Sequence, residues 1–158
     1  MNAMAVTLHT ELDTELRIRR VLLAAGPAAA AEGRGQVRAA ICAWDVPVDQ
    51  SVAVLLTSEL VTNAIRHETG ETVTLAIDGS QGQLRVDVHD SSYDIPVVLG
   101  NPGDEETGRG LMLVATLSDE WGFYRTPAGK AVYFTLAFPP DLPRGGGSRG
   151  SMRGDGEP

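Results

Sequence analysis

No proline or glycine interrupts the chain from Val48 to His67, and no other stretch constrains the fold as much. Asp49 and Ser51 stand just before the apolar positions, and both have N-cap chemistry. At about 3.6 residues per turn, Val48, Val52, Leu55, Leu56, Glu59, Asn63 and Arg66 fall on one face of the expected helix. Val54, Val61 and Ile65 lie opposite, so the helix is expected to be buried on two faces. Its inner face changes from leucine to Glu-Asn-Arg, which implies that it lines something polar.

Glu59 and Asn63 are one turn apart and point the same way. The amide of Asn63 can offer a carbonyl oxygen to a hard cation such as Mg²⁺. Glu59 can accept a proton from a nucleophile held beside it, and Arg66 can meet phosphate oxygens. The same pattern also describes an i,i+4 polar pair and a salt-bridging arginine on a half-exposed helix.

The chain has 158 residues, enough for one domain with its own core. Its formal net charge is −8. The part after Phe138 holds three acids and three arginines, so the acidic excess belongs to the preceding part. An acidic domain argues against binding a nucleic-acid backbone and suits pairing with a basic protein surface. Cys42 is the only cysteine, which rules out an intrachain disulfide and fits a reducing, cytoplasmic setting. It sits in an alanine-rich helical stretch and is expected to be a small core residue. No signal peptide is expected, and no apolar stretch approaches the ~20 residues of a membrane span.

Residues 1–15 lack periodicity and read as a loose arm. Val21 to Ala25 reads as a strand ended by Gly26-Pro27, and Ala28 to Trp44 as a helix weakened at its start by Gly33 and Gly35. Within it Val37, Ala40, Ile41 and Trp44 share a face. Thr72–Asp78 and Leu84–Asp90 alternate around Gly79-Ser80-Gln81-Gly82, the pattern of a hairpin. Residues 91–107 read as a long, lid-like loop. Gly108-Arg109-Gly110 opens an apolar helix over 111–117, expected to be buried all round. Trp121–Arg125 and Ala131–Leu136 form a second hairpin. From Pro139 onward the composition is that of a disordered tail. The order predicts an α+β, two-layer sandwich over residues 16–138: a mostly antiparallel mixed sheet with helices on one face.

Three further pieces accompany the central helix. Asp90 ends a strand just before the lid, where a carboxylate can accept a hydrogen bond from a ligand amino group; an Asx-turn is the alternative. The glycines of Gly108-Arg109-Gly110 let backbone approach a ligand, with unpaired N–H groups at the helix start; an ordinary loop-to-helix junction is the alternative. Gly129-Lys130 sits in the last hairpin turn, where an exposed turn lysine is the plain reading.

In order and spacing these pieces resemble the nucleotide-binding site of the gyrase, histidine-kinase and MutL ATPase superfamily, the Bergerat fold, over roughly residues 20–138. The phrases Ser58-Glu59-Leu60-Val61-Thr62-Asn63-Ala64, Gly108-Arg109-Gly110-Leu111 and Trp121-Gly122 look like the subgroup of stand-alone anti-sigma-factor serine kinases. The resemblance implies ATP and Mg²⁺ as cofactors, Asn63 as metal holder, Glu59 as general base and Asp90 as reader of the adenine amino group. It implies that the lid with Gly108, Arg109, Gly110 and Leu111 closes over the phosphates, with Arg66 and Lys130 nearby. It also implies two protein partners, a sigma factor and a serine-bearing anti-anti-sigma antagonist, and a homodimer.

Three departures from the family pattern stand out. Ser91-Ser92-Tyr93-Asp94 replaces the glycines after the adenine aspartate. Gly129-Lys130-Ala131-Val132 replaces Gly-x-Gly-Thr, and Asp104-Glu105-Glu106 places negative charge in the lid. These predict weakened nucleotide affinity, while intact Glu59 and Asn63 predict retained catalysis. Two other readings stay open: a module of the same fold that only sequesters a partner, and a detached histidine-kinase catalytic domain.

Overall fold

The computed structural model describes residues 17–67, 70–94 and 105–139, with only the backbone of residues 105–109. The expected arm, most of the expected lid and the tail from residue 140 lie outside the described residues. In chain order the elements are β1 (Ile18–Ala24), α1 (Ala29–Trp44), α2 (Gln50–His67), β2 (Thr72–Asp78), β3 (Gln83–Asp90), α3 (Glu105–Leu117), β4 (Glu120–Thr126) and β5 (Gly129–Ala137).

The strands form one sheet in the order β1-β2-β3-β5-β4. Every pairing among them is antiparallel, so the expected mixed sheet is corrected to a purely antiparallel one. The reason is topological. α3 carries the chain past the next position to the edge strand β4, and β5 then returns between β4 and β3. The β2–β3 hairpin turns on Gln81 and Gly82, both at positive φ (59° and 71°), which matches the right-handed twist of the strands. Asp78 accepts the Ser80 N–H at 2.8 Å and steadies that turn.

Helices cover one face. The row Val21, Leu75, Val88, Val132 and the row Ile77, Val86, Phe134 point at them and are buried. α2 is the central helix, packed against the sheet, against α1 on one flank and α3 on the other. Its buried residues are Ala53, Leu56, Thr57, Leu60, Val61, Asn63 and Ala64. The face expected from the sequence is therefore rotated. Leu55 is 40% exposed and Arg66 is exposed, while Val61 is fully buried. Apolar periodicity could not reveal this because Ala53, Thr57 and Ala64 serve as core positions. Thr57 does so by donating its hydroxyl to the Ala53 carbonyl at 2.8 Å.

Gly33 explains the close fit of α1 and α2. A Cβ there would lie 3.2 Å from a Val61 methyl, so this glycine trades helix propensity for approach. Asp49, not Ser51, caps α2, its carboxylate accepting the Val52 N–H at 3.1 Å. Two burial expectations fail. Cys42 is exposed on the outer side of α1. α3 buries Leu111 and Val114 but exposes Met112 at 50% and Leu117 at 40%. It packs on α2 and β4 by one stripe only, at the rim of the layer.

Candidate functional site

The site residues gather along the flank where α2 meets α3 and along the ends of β3 and β5 nearest it. α2 supplies Glu59 and Asn63. Asn63 is 8% exposed and its side-chain oxygen is buried without a hydrogen-bond partner among the described residues. An orphaned amide oxygen costs about 1–3 kcal/mol in a folded protein, so it marks a position meant to receive a donor or a cation. Glu59 lies one turn earlier, half-buried, with its carboxylate against α3. A Cβ added to Gly110 would stand only 2.5 Å from Glu59 Oε2. The missing side chain leaves room for the carboxylate in this position, and a methyl there would push the carboxylate aside.

Gly108, Arg109 and Gly110 do not open α3. The helix begins at Glu105, so the Arg109 and Gly110 N–H groups fall beyond its first four residues, where the helix satisfies them internally. Glu105 and Glu106 account for the early start, because carboxylates favour a helix N-terminus. Leu111 is a core residue, 1% exposed. Arg66 stands on the exposed side of the last turn of α2.

At the other end of the site, Asp90 and Lys130 face each other in register across β3 and β5. They lie two residues beyond the buried Val88–Val132 pair, on the same, helix-covered face. The Lys130 ammonium donates to both Asp90 oxygens, at 3.0 and 2.9 Å. The two side chains are 3% and 1% exposed. Asp90 Oδ1 also accepts the Ser92 N–H at 2.8 Å. That is the Asx-turn the sequence offered as an alternative, and it uses capacity that a ligand would need. Gly129 brings the strands this close: a Cβ there would collide with the Asp90 carbonyl oxygen and the Ser91 backbone. Tyr93 ties the chain after Asp90 to the β4–β5 turn, donating to the Pro127 carbonyl at 3.2 Å.

Lys130 is thus neither an exposed turn lysine nor a side chain free to reach phosphate. Its partner was hidden in the sequence, because strand register, not spacing, brings residues 90 and 130 together. The Asp90-Ser91-Ser92 run was the legible half of the arrangement. Ser92, buried at 7%, is a site-forming residue that sequence reasoning did not single out.

The two ends fit a Mg-nucleotide unequally. Among the described residues no group of three or more His, Cys, Asp or Glu side chains could hold a metal. Mg²⁺ usually keeps several waters and is shared with substrate phosphates, so one protein oxygen suffices, and Asn63 Oδ1 is a suitable one. At the other end the Asp90 carboxylate itself is engaged by Lys130 and by the Ser92 N–H.

The uncovered face of the sheet carries a separate polar cluster. Arg85 donates to Asp87 at 2.8 and 3.0 Å, and Tyr124 donates to Asp87 at 2.7 Å. Burial, reinforced by the bond to Asp87, pushes the Tyr124 hydroxyl up to about 12. Burial lowers the His89 imidazole from its ordinary value. Arg85 stacks over Tyr133, 4.0 Å from the ring centroid, and Tyr133 leans across Gly122. This cluster braces strands and is not part of the helix-side site.

Residues 23–136 match the model of a family described as the histidine kinase-like ATPase domain. The fold is similar to a crystal structure of the RsbU and RsbW domains of Rv1364c from Mycobacterium tuberculosis, with a TM-score of 0.52 and 22% sequence identity. That likeness covers 76% of this chain, which spans 32% of the other. Comparison with curated proteins gives no match.

Proposed function

The chain belongs to the histidine kinase-like ATPase domain family, and from that premise we propose that it binds ATP with Mg²⁺ and phosphorylates a serine on a partner protein. The proposed partners are an anti-anti-sigma antagonist, which receives the phosphate, and a sigma factor, which the same chain sequesters as a homodimer. One observation carries the reading: the buried oxygen of Asn63, without a partner among the described residues, one turn from Glu59, whose carboxylate is set against Gly110. The phrases shared with anti-sigma-factor serine kinases support the partner assignment.

Asn63 holds the cation through its amide oxygen. When bound, Mg²⁺ neutralises phosphate charge, which is most of what phosphoryl transfer requires. Glu59 orients the incoming serine hydroxyl and takes its proton. Arg66, at the end of the same helix, meets phosphate from the solvent side.

The test is phosphorylation of a serine-bearing antagonist. Acid-stable phosphate should appear on the antagonist with wild type and fall steeply with Glu59→Gln. Acid-labile phosphate would point to histidine chemistry instead. One observation favours a second reading, a partner-sequestering module with little transfer: both oxygens of Asp90 are already taken by Lys130. That module would bind its partner equally well with and without ATP.

A further inference from the structure

We propose that Lys130 removes base discrimination from this nucleotide site, so that it takes purine nucleoside triphosphates with little regard to adenine or guanine. The inference rests on the proposed ATP-binding function, with the base placed at the Asp90 end as the family resemblance implies.

Adenine presents an amino donor at the position where guanine presents a carbonyl acceptor. An open carboxylate at that position accepts from adenine and repels the guanine oxygen. Sites built to hydrogen-bond one group reject an analogue lacking it, because a buried polar atom is then left unpaired. In this chain that condition does not arise. Lys130 Nζ bonds both Asp90 oxygens, at 3.0 and 2.9 Å, and the Ser92 N–H adds a third bond to Oδ1 at 2.8 Å. The pair carries no net charge and is almost wholly out of contact with solvent, at 3% and 1% exposure. Among the described residues, a base arriving here meets a carboxylate already bonded on both oxygens and paired with a cation. Adenine gains no carboxylate bond, and guanine suffers no repulsion.

The arrangement is held by the strands, not by chance side-chain packing. Asp90 and Lys130 are register partners, and the absence of a Cβ on Gly129 lets the end of β3 close on β5. Affinity must therefore come from the triphosphate and its cation at the Asn63 end and from non-specific contact with the base.

The experiment is competition of Mg-ATP and Mg-GTP for the full chain, read by calorimetry. Wild type should bind the two within about threefold of each other, far from the ~10⁴-fold rejection a hydrogen-bonding site can achieve. Lys130→Thr uncovers Asp90 and should shift the preference toward ATP by tenfold or more, on the order of one strong base contact. The double variant Asp90→Asn with Lys130→Met removes the pair without leaving a buried charge, and should discriminate as weakly as wild type. A wild type that prefers ATP by more than about thirtyfold overturns the proposal on its own, independent of whether any variant folds. ATP binding by Lys130→Thr alone, with wild type silent, also overturns it: the lysine then bars the nucleotide instead of removing base discrimination. Binding of neither nucleotide by any of the proteins sinks the nucleotide reading itself.

Discussion

The two ends of the site follow opposite rules. At the α2–α3 flank, Asn63 keeps a buried oxygen without a partner among the described residues, and the Glu59 carboxylate sits against α3 where Gly110 carries no side chain. At the β3–β5 end every strong group has found its partner inside the protein, down to the third bond on Asp90 Oδ1. An unsatisfied buried group is a standing cost that binding can relieve. A satisfied pair is costly to disturb, because separating it strands a charge. The difference is one of unused bonding capacity: the buried oxygen of Asn63 has some to offer, while both oxygens of Asp90 are engaged within the protein.

The largest expected effect is on transfer. Glu59→Gln keeps shape but cannot take a proton, and should slow phosphorylation of the antagonist by ~10²–10⁴-fold while the fold stays intact. Equal rates for wild type and variant would make the polar flank a structural feature and erase the contrast.

Stability should separate the ends in the reverse direction. Asp90→Asn leaves the Lys130 ammonium buried without a counter-charge, which costs about 3–5 kcal/mol. Asn63→Ala breaks no bond of the side-chain oxygen seen in the structure, and should cost only about 1 kcal/mol. Denaturant unfolding of the two variants measures both, and similar losses would contradict the assignment of one end as satisfied and the other as waiting.

Gly110→Ala sharpens the picture of the open end. The new methyl would meet the Glu59 carboxylate, the far end of a flexible side chain. Stability should change little, while transfer should fall by roughly 10–100-fold as the carboxylate is pushed aside. A variant with full activity would show that the position of Glu59 is not critical.

The smallest effect belongs to the uncovered sheet face, which serves as a reference outside both ends. The Tyr124 hydroxyl is raised from its ordinary 10.0 to about 12, by burial first and by its bond to Asp87 second. A raised value means that the folded state holds its proton more tightly. The contribution is fully present below about pH 10 and is lost as pH rises toward about 12. Tyr124→Phe should flatten that alkaline decline slightly. An unchanged pH profile would remove the hydroxyl from the account of this face.

Much of this was legible in the sequence, for identifiable reasons. Turn chemistry at Gly79–Gly82 and at Pro127-Ala128 marked both hairpins, and the uninterrupted run before His67 marked α2. The Glu59-to-Asn63 spacing put both side chains on one flank of α2, because one helical turn fixes direction. What stayed hidden depended on contacts distant in sequence. The exposure of Cys42 and of half of α3 reflects which stripes the neighbouring layers cover. The buried face of α2 was misplaced in part because the small residues Ala53, Thr57 and Ala64 are core positions while Leu55 is not. The Asp90–Lys130 pair follows from a register between strands whose pairing residues stand forty positions apart, which no local pattern reports.

In the proposed function the Mg-nucleotide is held through the side-chain oxygen of Asn63. The direct measurement is the dissociation constant of ATP by calorimetry, with Mg²⁺ and with the cation chelated, for wild type and Asn63→Ala. Wild type should bind at least tenfold more tightly with Mg²⁺ than without it, about 1.4 kcal/mol, and Asn63→Ala should lose that gain. Binding that ignores Mg²⁺, or a gain that survives intact in Asn63→Ala, would contradict the account.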